Sequence, residues 1–148
     1  MNKNFVIFLI LFFLSSTYNV LIAQENMILT FNTDLGNGTT VTLPLRGNVD
    51  VTVDWGDGTT PQSITTSGNL DYTYAAGGVY TVSISGSLTH FGSWSNYNNA
   101  EKLISCTSFG DLGITSLFGA FHGAVNLSEV PGAIPSTVSD LSNMFRGA

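Results

Sequence analysis

Two carboxylates, Asp54 and Asp57, lie three residues apart among glycines in the run Val53-Asp54-Trp55-Gly56-Asp57-Gly58-Thr59. Hard cations collect clustered oxygens, so calcium is the chemistry this pattern raises. The D-x-x-D-G spacing lacks the alternating ligands of an EF-hand loop, and nothing nearby completes the roughly six to eight oxygens calcium takes. A hairpin turn accounts for the same residues, with Asp57 bonded to its own backbone ahead of Gly58. That reading is adopted, and neither a resident metal nor a cofactor is expected. Trp55 could stack on a sugar ring. It continues the alternating face of Val49, Val51 and Val53, however, and a core side chain is predicted there.

Nucleophilic catalysis needs a nucleophile, a base and an orienting acid that meet in space. His90 and His122 are the only histidines, and no G-x-S-x-G elbow accompanies the many serines. His122 is expected on the solvated side of a short helix, and His90 at the boundary between two differently patterned halves. Cys106 is the only cysteine, which excludes an intramolecular disulfide and a zinc site of several thiolates. The glycines fall at turns and caps, not between a strand and a long helix, so no phosphate-binding loop is read. The chain is expected to be non-catalytic.

The elements that would position these residues begin after a leader. Residues 1–23 carry Lys3, the apolar run FVIFLILFFL and a small residue, Ala23, before a polar start. This is the pattern of a secretory signal peptide cleaved after Ala23. A spanning helix wants about 20 consecutive apolar residues, and residues 15–19 interrupt this one. No cysteine near the site could take a lipid. Beyond the leader, Arg46, Lys102 and Arg146 face ten acidic residues. Nucleic acid and anionic membranes, which are met by Lys and Arg, are disfavoured as partners. Export to the cell surface or the extracellular space is expected, with no membrane insertion once the leader is removed.

Residues 24–90 have period two. Val49, Val51, Val53 and Trp55 alternate with Asp50, Thr52 and Asp54, and Tyr80, Val82 and Ile84 alternate with Thr81, Ser83 and Ser85. Strands are predicted at 27–31, 40–45, 49–55, 70–74 and 80–85, separated by Asn37-Gly38, Asp57-Gly58 and Gly77-Gly78 turns. Short strands without intervening helix describe an antiparallel β-sandwich.

From residue 91 a spacing of 24 takes over. Tyr97, Phe121 and Phe145 fall in register, as do Ala100, Ala124 and Ala148; Cys106 matches Val130, Leu117 matches Leu141, and Gly123 matches Gly147. A period of this length marks stacked supersecondary units. Leu117, Ala120, Phe121 and Ala124 lie at i, i+3, i+4 and i+7, which predicts a short helix, repeated at 141–148. Thr115 or Ser116, and Ser139 or Asp140, would cap these helices, with Gly123 and Gly147 ending them. Each unit would add a short strand, at 103–106 and 127–130. Cys106 and Val130 would face inward, Cys106 as a small hydrophobe. About two units are present without a cap, so the array is expected to be incomplete and the chain a fragment or the product of a prematurely ended reading frame.

Two motifs carry a family resemblance. The V-D-W-G-D-G-T run at 53–59, followed by Tyr72-Thr73-Tyr74 and Gly78-Val79-Tyr80-Thr81-Val82, resembles the polycystic-kidney-disease (PKD) type of immunoglobulin-like sandwich over residues 26–90. Met144-Phe145-Arg146-Gly147-Ala148 and Ala120-Phe121-His122-Gly123-Ala124 resemble the M-F-x-G-A units of BspA-like leucine-rich-repeat bacterial surface proteins. The resemblance implies a signal peptide over 1–23, a PKD-like β-sandwich over 24–90, and an incomplete leucine-rich-repeat array over 91–148. Its marker residues are Trp55, Gly56, Asp57, Gly58, Tyr80, Phe121, Gly123, Phe145 and Gly147. It implies adhesion or protein–protein contact with an extracellular protein or matrix component. The alternatives are an accessory, carbohydrate- or substrate-binding front module of a larger secreted enzyme, and a non-functional gene fragment.

Overall fold

A computed structural model describes residues 24–95 and 97–148; the expected leader lies outside the described residues. Six strands form one antiparallel sheet: β1 (Met27–Asn32), β2 (Thr40–Asp54), β3 (Gln62–Ile64), β4 (Gly68–Thr73), β5 (Val79–Phe91) and β6 (Leu103–Phe109). Their order is β3-β2-β5-β1-β6, with β4 also paired to β2. The described chain is mainly β with almost no helix, consistent with a β-sandwich. None of its helices is long and apolar enough to cross a membrane.

Strand formation follows the alternation. In β1, Met27, Leu29 and Phe31 are buried while the residues between them are half-exposed. The stretches expected at 40–45 and 49–55 are one strand, β2, interrupted by a register shift between Arg46 and Val49. Gly47 and Asn48 together oppose Thr89 alone, and Gly47 has φ of +70°, the geometry of a β-bulge that bends the strand. Beyond the bulge burial alternates; before it, residues 41–45 are buried throughout. Residues that follow β5 lie against that stretch. Gly92 donates its N–H to the Pro44 carbonyl at 3.0 Å, and the Asn99 amide reaches the Thr42 hydroxyl at 3.5 Å.

β6 pairs with β1 and completes the sheet edge. Buried apolar side chains from Met27 to Met144 form one cluster. A single long side chain ties the loop before β2 to the short 3-10 helix Ala100–Lys102 that precedes β6. Lys102 is fully buried, and its Nζ donates to the carbonyls of Asn37, Gly38 and Thr40 at 2.9 Å each and to Asn99 Oδ1 at 3.3 Å.

The short helices expected over 117–124 and 141–148 are not formed; both stretches are successive turns. N–H groups of residues 120, 122 and 124 bond carbonyls three residues back, as do those of 144, 146 and 148. The obstacle to a helix is at Gly119 and Asn143, whose φ angles of +60° and +56° are left-handed and incompatible with a right-handed helix. The expected caps do form, but they close turns: Ser116 Oγ accepts the Phe118 N–H, and Asp140 Oδ1 accepts the Ser142 N–H.

The 24-residue spacing is present in the backbone. Left-handed residues recur at Asn99, Gly123 and Gly147. The N–H groups of Leu117, Gly119, Phe121 and Gly123 donate to the carbonyls of Asp140, Ser142, Met144 and Arg146 at 2.8–3.0 Å. Ser139 donates to Thr115, Cys106 to Glu129, and Ser128 to Ile104. Phe121 is fully buried and its ring lies 5.5 Å from that of Phe145, which is half exposed. Tyr97 is buried and donates its hydroxyl to the Ala120 carbonyl. Between the first and second segments the offset widens, with His90 opposite Ser116, 26 residues on, where a step of 24 would reach Ile114.

Candidate functional site

The Asp54–Thr59 corner is closed by its own hydrogen bonds. Trp55 is fully buried and stacks on Tyr72, ring centroids 4.3 Å apart and 8° from parallel. Tyr72 meets Tyr74 edge-on, and Tyr74 lies parallel to Tyr80 at 3.7 Å. The Trp55 Nε1 donates to Gln62 Oε1, and the Tyr74 hydroxyl donates to the Trp55 carbonyl. Asp54 Oδ1 accepts the Gly56 N–H. Asp57 Oδ1 accepts both the N–H and the hydroxyl of Thr59, and its Oδ2 accepts the Tyr72 hydroxyl at 2.7 Å. The Thr59 hydroxyl, then that of Tyr72, hold the Asp57 carboxyl below its usual range. Gly56 has φ of +75°, and a β-carbon there would come 2.2 Å from the Thr81 carbonyl. Both Asp57 oxygens are engaged in the corner, and no three His, Cys, Asp or Glu side chains converge as a metal group among the described residues.

The remaining sequence candidates scatter. Cys106 is buried, and burial pushes its thiol up to about 12. Its repeat partner Val130, expected inward, is 37 % exposed. His122 is not on a solvated face; it is 7 % exposed and its Nδ1 has no hydrogen-bond partner. The facing assigned to it depended on a helix that turns replace.

Elsewhere a polar row crosses from the sheet into the later segments. Arg46 of β2 lies opposite His90 of β5, His90 opposite Ser116, and Ser116 opposite Asp140. Side chains of directly paired residues project to the same side, so this is one strip of guanidinium, imidazole, hydroxyl and carboxylate. At about 4.8 Å per step it spans about 14 Å. Arg46 Nη2 donates to Asn69 Oδ1, and the His90 Nε2 lies 3.2 Å from the Phe118 carbonyl. The Asp140 carboxyl is held below its usual range by the Ser142 N–H and then its hydroxyl, with a smaller pull from His90.

Trp94 flanks the strip. It is 80 % exposed, more than any other large apolar side chain described, and its ring centroid lies 4.3 Å from that of Phe118 at a 46° tilt. Phe118 in turn meets His90 edge-on at 6.5 Å. The backbone beneath is fixed by close approach: Ser93 donates to the Gly119 carbonyl, and a β-carbon on Gly92 would come 2.0 Å from the Phe118 carbonyl. Sequence reasoning treated Ser116 and Asp140 only as caps and His90 as a boundary residue, and did not single out Arg46 or Trp94 as site residues. The available signal was the 24-residue step from Ser116 to Asp140 and from Trp94 to Phe118.

No protein-family model, no curated protein and no solved structure matches the chain.

Proposed function

We propose that this is an exported, non-catalytic surface protein of the BspA-like leucine-rich-repeat kind. Its PKD-like sandwich carries the first units of a repeat array that contacts extracellular protein or matrix. The observation that supports this reading most is the ladder of hydrogen bonds between segments 24 residues apart, from Leu117–Asp140 through Gly123–Arg146. Stacked units bury their apolar residues against one another and leave lateral faces for partners. The W-G-D-G corner, closed by the Tyr72 and Tyr74 hydroxyls, supports the sandwich assignment. A second reading, the carbohydrate-binding front of a larger secreted enzyme, is favoured by one observation, exposed Trp94 beside a polar strip.

The test is expression of the full chain with its own leader in a bacterial host. The protein should label with antibody on intact cells and raise cell retention on a matrix-protein coat. Protein confined to the cytoplasm with its leader uncleaved would overturn export, and surface protein without retention would overturn the contact role.

A further inference from the structure

The strip and the exposed tryptophan together have a chemistry that narrows the ligand. We propose that Trp94 and Phe118, with the Arg46–His90–Ser116–Asp140 row, form a subsite for a neutral pyranose oligosaccharide. The proposal deepens the second, carbohydrate-binding reading above and rests on it, while the protein-contact reading stands or falls separately.

Three features point to this class. The first is the platform. An indole in water offers a large, rigid apolar face at small entropic cost, and the apolar C–H face of a pyranose is its natural complement. Trp94 is held against Phe118 on a backbone that Gly92 and Gly119 bring into contact, so the ring is positioned before any ligand arrives. An isolated exposed apolar residue would need no explanation. This one adjoins two further rings in sequence, Phe118 and His90.

The second feature is charge balance. Arg46 and Asp140 end the row with opposite signs, and a hydroxyl and an imidazole lie between. A phosphate or an acidic polymer would want cations along the whole row. Sugar hydroxyls both donate and accept, so they match a row that offers both. Asp140 Oδ1 accepts the Ser142 N–H at 2.9 Å, and a carboxylate with about four lone-pair sites keeps capacity for a sugar hydroxyl.

The third feature is length. A row of about 14 Å suits a short linear oligosaccharide lying across the strands. Protein hot spots, by contrast, put a tryptophan at the centre of a desolvated apolar patch. Trp94 is instead neighboured in sequence by Ser93 and Ser95.

The chain contains only two tryptophans, Trp55 and Trp94. Trp55 is fully buried, so acrylamide quenching reports Trp94. The full chain is titrated with neutral cello-, xylo-, manno- and chito-hexaose while Trp94 emission and quenching are followed. The expected result is saturable blue-shift and protection of Trp94 by at least one of these sugars. Trp94→Ala, which removes an exposed side chain and leaves the fold, should weaken that binding about tenfold or more by calorimetry. Trp94→Phe should recover part of it, and Asp140→Asn should weaken it without altering the quenching of the free protein.

No saturable response to any of the four sugars at millimolar concentration would overturn the proposal, as would equal binding by Trp94→Ala. Self-association of the wild type that Trp94→Ala abolishes, with no sugar binding, would also overturn it by making the tryptophan a protein contact. If sugars fail while Trp94→Ala still removes cell retention on the matrix coat, the glycan assignment falls and the contact function stands. If sugars bind but the coat does not retain cells, the outcome is reversed.

Discussion

Lys102→Met removes a buried cation while keeping most of its volume. The wild-type ammonium is fully buried and donates to three backbone carbonyls at 2.9 Å. Each hydrogen bond from a charged group contributes about 1.5–3 kcal/mol, and desolvating the ammonium offsets several kcal/mol of that sum. The variant avoids the desolvation cost but leaves the carbonyls of Asn37, Gly38 and Thr40 without that donor, at about 1–3 kcal/mol for each buried one. No charge is stranded, and Asn37 and Gly38 are exposed, so a net loss of about 2–3 kcal/mol is expected from the unpaired carbonyls. Against a total of about 5–15 kcal/mol for a typical domain, this is a large fraction. Urea unfolding of wild type and variant measures it, and amide exchange should quicken around residues 36–40. A loss below about 1 kcal/mol, the range of a surface ion pair, would refute the view that Lys102 ties the loop before β2 to the segment entering β6.

The corner glycines separate strain from collision. Gly58→Ala should cost about 1–2 kcal/mol for a left-handed alanine in open space, while Gly56→Ala should cost about 1–3 kcal/mol more because its β-carbon meets the Thr81 carbonyl; equal melting temperatures would contradict this. Phe121→Ala should cost about 3–5 kcal/mol and Phe145→Ala less than half of that, because Phe145 is half exposed; chemical denaturation compares them. Cys106 should resist a thiol reagent in the native state at pH 8 and react once unfolded. Its folded value, about 12, lies above the unfolded value of about 8.5. The associated stability is therefore complete below the unfolded value and declines as pH rises from there toward the folded one, which melting between neutral pH and pH 10 would reveal.

The strands were legible because one face of each is in water: Val49, Val51 and Val53 alternate with Asp50, Thr52 and Asp54 both in sequence and in burial. The 24-residue step was legible for the same kind of reason, since Leu117 and Phe121 recur as Leu141 and Phe145. What joins these elements was less visible. Pairing of β6 with β1 spans the whole sheet segment, and local patterning does not encode it. The helix prediction failed on Gly119 and Asn143. Apolar residues at i, i+3, i+4 and i+7 also suit two consecutive turns that bring the chain back to one side, and only the left-handed residue between them tells the two apart. Asn99 shares the left-handed geometry of Gly123 and Gly147, but an asparagine in that place gives a weaker signal than a glycine. Of the polar strip only the Ser116–Asp140 step was legible, because Arg46 and His90 come from two separate strands outside the repeat.

Residue-resolved hydrogen exchange tests the stacking of successive units most directly. The amides of Leu117, Gly119, Phe121 and Gly123 donate to the following segment, whereas those of Leu141, Asn143, Phe145 and Gly147, 24 residues later, have no protein acceptor among the described residues. The first four should exchange at least about a hundredfold more slowly than the second four. Equal, rapid exchange at both sets would mean that the segments do not stack, and the surface-array function would lose its physical basis.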